Sequence, residues 1–324
     1  GNENYSSPIS TTVMNSGNLT DLFAIDIDND GDTDLIQAEN AFSGTFSINL
    51  NMGNSTFGPV SVINTGAVYV KKLKFYDINQ DGLLDAVYTT NNAGLSNWKT
   101  AYSLNLGGGS FGPEIIVANP SSSSNIFFAF DYDNDNDLDI FYVNTEDDKI
   151  VWHENLNSTT VGPEQTIQVS NGQNIFYGVD MDVDMDGMID IIAKVNSDLV
   201  YYKNLGGGSF STSNSIIPDI SNSGNFIVAD IDNNGEEDLY FENSYFFWLK
   251  KNGMNTFTTP IGISVGVNSS DGGIIIDYDG DNKKDLLIGG GDVRWNKNRG
   301  NNVFETGKAL TSPGISPAGR EIKK

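Results

Sequence analysis

Aspartates at three alternate positions, closed by a fourth four residues later, recur six times in this chain, with Asn in place of two of them. The segments are DIDNDGDTD from Asp26, DINQDGLLD from Asp77, DYDNDNDLD from Asp131, DVDMDGMID from Asp182, DIDNNGEED from Asp230 and DYDGDNKKD from Asp277. Side-chain oxygens at positions one, three, five and nine, with the main-chain carbonyl of position seven, can turn onto one point. Calcium takes about six to eight such oxygens at about 2.3–2.6 Å. The spacing therefore predicts up to six calcium sites. In the first three copies the expected ligand positions are Asp26, Asp28, Asp30, Asp32 and Asp34; Asp77, Asn79, Asp81, Leu83 and Asp85; and Asp131, Asp133, Asp135, Asp137 and Asp139. In the last three they are Asp182, Asp184, Asp186, Met188 and Asp190; Asp230, Asp232, Asn234, Glu236 and Asp238; and Asp277, Asp279, Asp281, Lys283 and Asp285. The seventh residue of each set serves through its carbonyl alone, so its side chain is free to vary.

Position six must turn sharply. Gly31, Gly82, Gly187 and Gly235 suit a left-handed residue, and Asn136 and Asn282 are the next most tolerant type. Asn79 and Asn234 keep an oxygen donor but lower the charge of the second and fifth sites. Acidic turns without metal are the plain alternative, since Asp, Asn and Gly dominate turns anyway; six copies in register weigh against it. An EF-hand would need flanking helices and a Glu at position twelve. That position holds Gln37, Tyr88, Tyr142, Ala193, Phe241 and Ile288, inside strand-like runs such as DAVYTT and DIFYVN.

The elements that must hold these loops repeat with them. Each loop follows a short apolar run (LFAID, KLKFYD, IFFAFD) and precedes a second. A third run carries an aromatic residue and an Asn or Lys (VWHENL, VYYKNL), and a Gly/Asn turn leads to a fourth (FGPVSVI, FGPEIIV). Four short strands recurring about every fifty residues describe one blade of an all-β propeller. The chain divides into repeats at about 16–64, 65–118, 119–169, 170–219, 220–265 and 266–315, in one propeller domain over 1–324. Six blades are favoured over seven. The leading YSSPISTTV aligns with the fourth-strand runs, which makes 1–15 a candidate closing strand.

The loop followed by DL or DI, the WHEN/YYKN segment and the GGGSFGP turn together resemble the FG-GAP or VCBS repeat family, over roughly residues 16–315. Such repeats also occur in integrin α-chain heads and in many bacterial surface and secreted proteins. The resemblance implies that the loop joins the first and second strands of a blade and holds calcium as structure. Asn136, Asn282, Asn79 and Asn234 depart from the family's Gly and Asp.

A net charge of −25, with 18 Lys and Arg against 43 Asp and Glu, argues against nucleic acid and anionic membrane as partners. No segment is long and apolar enough to insert in a membrane. Cysteine is absent, so no disulfide can form. His153 is the only histidine, which excludes a Ser-His-Asp set built on any other residue. It aligns one place past a column of Ile48, Tyr102, Trp152, Tyr201, Trp248 and Trp295, where a bulky residue is expected to pack between blades. Trp98 falls outside that column, in the NNAGLSNWKT insertion, and is the candidate for ligand stacking. The expectation is a non-catalytic, calcium-stabilised recognition or adhesion module. It would present loops to a glycan or an extracellular protein, at a bacterial surface or in secretion, within a longer multidomain protein. A propeller-type polysaccharide lyase using His153 and a bare scaffold domain are the rivals.

Overall fold

The computed structural model of the protein describes residues 18–309 other than 41–43, 54–55, 66–68, 92–97, 120–126, 134, 145–147, 170–173, 208, 221–225, 244, 264–271, 290–293 and 302. Blade 1 is β1 (Asn18–Ile25), β2 (Asp34–Asn40), β3 (Thr45–Asn49) and β4 (Ser61–Asn64). Blade 2 is β5 (Tyr69–Tyr76), β6 (Asp85–Asn91), β7 (Trp98–Ser103) and β8 (Ile115–Ala118), and blade 3 is β9 (Phe127–Phe130), β10 (Asp139–Asn144), β11 (Lys149–His153) and β12 (Gln165–Val169). Blade 4 comprises β13 (Ile175–Met181), β14 (Asp190–Val195), β15 (Asp198–Tyr202) and β16 (Asn214–Ile217). Blade 5 comprises β17 (Phe226–Ala229), β18 (Asp238–Asn243), β19 (Tyr245–Leu249) and β20 (Ile261–Ile263). Blade 6 closes the series with β21 (Gly272–Ile276), β22 (Asp285–Gly289), β23 (Arg294–Asn296) and β24 (Lys308–Ala309).

Every sheet is a four-stranded meander in sequence order, so the fold is a β-propeller of six blades, as the repeat predicts. The segment YSSPISTTV, read as a closing strand, lies outside the described residues. By contact density the chain forms two compact units. One runs to Ile175 and includes Gly206–Ser209; the other takes Phe176–Leu205 and the chain from Phe210 onward.

Burial explains the strand sequences. The second strands of blades 2, 3 and 4 are buried along their whole length, on both faces, so they read as unbroken DAVYTTN, DIFYVN and DIIAKV rather than as alternation. Fourth strands are more exposed and more polar, as in SVIN and NSII. The fourth runs also begin later than their sequence suggests: Phe57, Phe111, Val161, Phe210, Phe257 and Phe304 each make a single bridge before the strand proper.

Between neighbouring sheets lie apolar clusters. Ile36, Phe46, Ile48, Leu73 and Tyr88 join blades 1 and 2, and Val87, Tyr102, Ile140 and Val151 join blades 2 and 3. Leu199, Leu239 and Phe241 do the same for blades 4 and 5, and Trp248, Leu286 and Ile288 for blades 5 and 6. Ile48, Tyr102 and Trp248 of the expected column are fully buried, and Trp152 and Tyr201 nearly so. The Trp248 ring meets Phe304 of blade 6 edge-on at 6.0 Å, a geometry aromatic pairs favour.

Candidate metal centres

Each Asp-rich segment forms the connection from first to second strand, where the sequence places it. Position one caps the turn: its Oδ2 accepts the amide of position six in all six copies, from Gly31 (2.9 Å), Gly82 (2.9 Å), Asn136 (3.1 Å), Gly187 (3.0 Å), Gly235 (2.9 Å) and Asn282 (2.8 Å). Position five accepts the amide of position seven. That bond is 2.9 Å from Asp32 and Leu83, and it recurs at Asp137, Met188, Glu236 and Lys283. Position six is left-handed throughout, with φ from 64° at Asn282 to 94° at Gly31.

A second left-handed residue escaped the sequence reading. Position four has φ of 59° at Asn29, 54° at Gln80, 62° at Met185, 57° at Asn233 and 74° at Gly280. Asn and Gly carry that conformation readily, but Met costs about 1–2 kcal/mol there. Met185→Gly is therefore expected to raise stability by about 1 kcal/mol, read as a higher denaturation midpoint; a lower midpoint would show that the exposed Met185 side chain makes a contact of greater worth.

Position nine is the keystone. Asp34, Asp85, Asp139, Asp190, Asp238 and Asp285 are all fully buried. One oxygen accepts the amide of position two: Ile27 at 2.9 Å, Ile78 at 2.9 Å, Tyr132 at 3.2 Å, Val183 at 3.0 Å, Ile231 at 3.2 Å and Tyr278 at 3.3 Å. The other accepts an amide just beyond the third strand: Asn51 (2.6 Å), Asn105 (2.7 Å), Asn155 (2.9 Å), Asn204 (2.7 Å), Lys251 (2.7 Å) and Asn298 (2.7 Å). Each carboxylate thus ties its loop to the third strand of its own sheet. The same Asn side chains then reach the previous loop: Asn105 Nδ2 donates to the Ile27 carbonyl (2.8 Å), Asn155 to Ile78 (3.3 Å) and Asn298 to Ile231 (3.0 Å).

Carboxylate oxygens converge as expected, though not in every copy. One oxygen each from positions one, three and nine lies within 4.8 Å of the others in Asp26/Asp28/Asp34, Asp182/Asp184/Asp190, Asp230/Asp232/Asp238 and Asp277/Asp279/Asp285. In the third copy the set is Asp131, Asp133 and Asp135. Among the described residues the second copy forms no such set. Asn79 sits at position three there, with its Nδ2 on Asp81 Oδ2 at 3.0 Å. Asn234, at position five, leaves the fifth set intact, so the two Asn departures are not equivalent.

These residues fit a hard cation on a further observation. Among the described residues, the buried oxygens Oδ1 of Asp28, Asp131, Asp137, Asp184 and Asp232 accept no hydrogen bond, and Asp184 is only 2% exposed. A buried acceptor without a donor is costly, and a metal ion supplies what it lacks. Asp137 had been expected to serve through its carbonyl alone, yet its side chain also turns inward. Electrostatics agree. Burial, and then the carboxylates of Asp34 and Asp30, push Asp28 up, while burial takes Asp139 to about 7 against the pull of its two amide donors. Asp85, Asp190 and Asp238 are each raised by burial to about 6.

His153 lies buried in β11, its ring stacked on Tyr142 at 5.9 Å. Its Nδ1 is 2.9 Å from the Gly162 carbonyl, which only accepts, so the proton sits on Nδ1. Trp98 is not a loop-tip residue. It opens β7 half-buried, opposite Asn91, while the inserted residues 92–97 lie outside the described residues.

The FG-GAP-like repeat model matches residues 26–88, 77–142 and 182–241, more than half of the chain. The chain belongs to that family. Its FG-GAP-like repeats span loop to loop, and the sixth loop, beyond the matched residues, keeps the same capping bonds through Asp277 and Asp285. No curated protein sequence matches the chain. Among solved structures, an Agrocybe aegerita lectin that recognises non-reducing terminal N-acetylglucosamine is 20% identical, with a TM-score of 0.64 over 91% of this chain and 81% of the lectin. A putative 6-phosphogluconolactonase from Bacteroides uniformis is 10% identical, with a TM-score of 0.58 over 86% of this chain and 82% of its own. At these identities the likeness is one of fold.

Proposed function

We propose that the protein is a non-catalytic, calcium-stabilised binding propeller that presents the ends of its blades to an extracellular glycan. The observation that carries this is the repetition of one device: all six loops close on a buried ninth Asp whose two oxygens hold main-chain amides. A group repeated identically in every blade serves the framework rather than a single reacting centre. Calcium would be held by positions one, three, five and nine and would supply charge neutralisation to carboxylates packed within 4.8 Å of one another. Millimolar calcium, as outside cells, suits sites of modest affinity. The lectin of the same fold supports a glycan as the partner class. His153, buried and committed through Nδ1, is poorly placed to act as a base on a polymer.

Binding to immobilised glycans, including those ending in N-acetylglucosamine, tests the reading. Calcium-loaded protein is expected to bind one glycan class, His153→Ala to bind it equally, and Trp98→Ala to bind it about 1 kcal/mol more weakly. Cleavage of a polysaccharide that disappears in His153→Ala would overturn the proposal.

A further inference from the structure

Six residues occupy one equivalent place, directly after the third strand of each blade. Each is fixed by its carbonyl, which accepts an amide eight residues on: Leu50 from Gly58 (2.8 Å), Leu104 from Gly112 (2.8 Å), Glu154 from Gly162 (2.7 Å), Lys203 from Ser211 (2.8 Å), Lys250 from Thr258 (2.8 Å) and Lys297 from Glu305 (2.9 Å). Their side chains behave in two ways. Leu50 and Leu104 pack against the clusters between blades. The three lysines turn instead into the Asp-rich loop of their own blade. Lys203 Nζ contacts Asp184 and lies 3.0 Å from Asp186, Lys250 contacts Asp232, and Lys297 contacts Asp279 and lies 2.9 Å from Asp281. Those are positions three and five of the candidate metal sites.

We propose that Lys203, Lys250 and Lys297 are tethered counter-cations that divide the six loops into two classes. In blades 4, 5 and 6 an ammonium group already neutralises the carboxylates, so an incoming calcium ion must displace it or bind beside a like charge. Blades 1 and 3 have Leu50 and Glu154 in that place and, among the described residues, no lysine paired with their loop carboxylates, whereas the partnerless buried oxygens occur in both classes, on Asp28, Asp131 and Asp137 as on Asp184 and Asp232. They are the tight sites. Blade 2 joins the weak class by another route, because Asn79 removes a carboxylate and donates its amide to Asp81. Loops 4 to 6 therefore keep their form without metal, and the metal requirement falls on blades 1 and 3.

The inference rests on the calcium reading, and calorimetric titration of the full chain separates the two. Wild type is expected to show two tight sites and a weaker class at least tenfold apart. The triple variant Lys203→Met, Lys250→Met, Lys297→Met should show four tight sites, because Lys283 still lies 3.2 Å from Asp281 in the sixth loop, and, in chelator, a melting temperature lower by several degrees. Glu154→Lys, at a half-exposed position that leaves the core untouched, should reduce the tight sites from two to one. Six equal sites in wild type, or titrations unchanged by both variants, would overturn the division while leaving calcium binding intact. Absence of any calcium binding would sink the calcium reading instead. The melt of the triple variant in chelator then still decides whether the lysines act as internal cations.

Discussion

Asp34→Ala is expected to destabilise the protein by about 2–4 kcal/mol even in excess chelator, because it strands two main-chain donors rather than one metal ligand. The amides of Ile27 and Asn51 lie 2.9 and 2.6 Å from the two carboxylate oxygens, and Asp34 and Ile27 are both buried. An unsatisfied buried donor costs about 1–3 kcal/mol; the Ile27 amide is buried, while the half-buried Asn51 amide can partly recover its bond from water. Asp34→Asn keeps one acceptor and turns an NH2 group toward the other donor, so it should recover only part of the loss. Asp32→Ala is the control. Position seven serves through its carbonyl, which the substitution retains, and a change within about 0.5 kcal/mol is expected there. Denaturant melts of the three variants, with and without calcium, decide the point: equal effects of Asp34→Ala and Asp32→Ala in chelator would show that position nine matters only through metal.

Which parts of this were legible in the sequence follows from how local each signal is. The alternate carboxylates, the left-handed sixth residue and the strand on either side are encoded within a dozen residues, and the structure places them as the spacing predicts. The second left-handed residue was half visible in Asn29, Asn233 and Gly280, but Gln80 and Met185 hide it. The bond from Asn105 to Ile27 spans 78 residues, and no local pattern carries it. The lysines stood in plain view as Lys203, Lys250 and Lys297, yet their target depends on strand register, which sets the residue after the third strand beside the loop. Trp98 was misplaced for a related reason. The insertion before it reads as loop, and only the pairing with Asn91 shows that the strand has already begun.

Charge gives the metal account its largest expected effect. With a net charge of −25 and carboxylate oxygens within 4.8 Å of one another in five loops, the metal-free protein carries repulsion that burial makes worse. If a site has a dissociation constant of about 10 µM, free calcium at about 1 mM adds roughly 2.7 kcal/mol for that site. Two such sites approach the lower end of a domain's whole margin of about 5–15 kcal/mol. Magnesium, smaller and slower to shed water, should substitute poorly in loops built for many oxygens. The direct measurement is a series of thermal melts of metal-stripped protein from micromolar to millimolar free calcium. The account predicts a melting temperature that climbs by many degrees across that range and far less with magnesium; a curve that calcium leaves unmoved would contradict it.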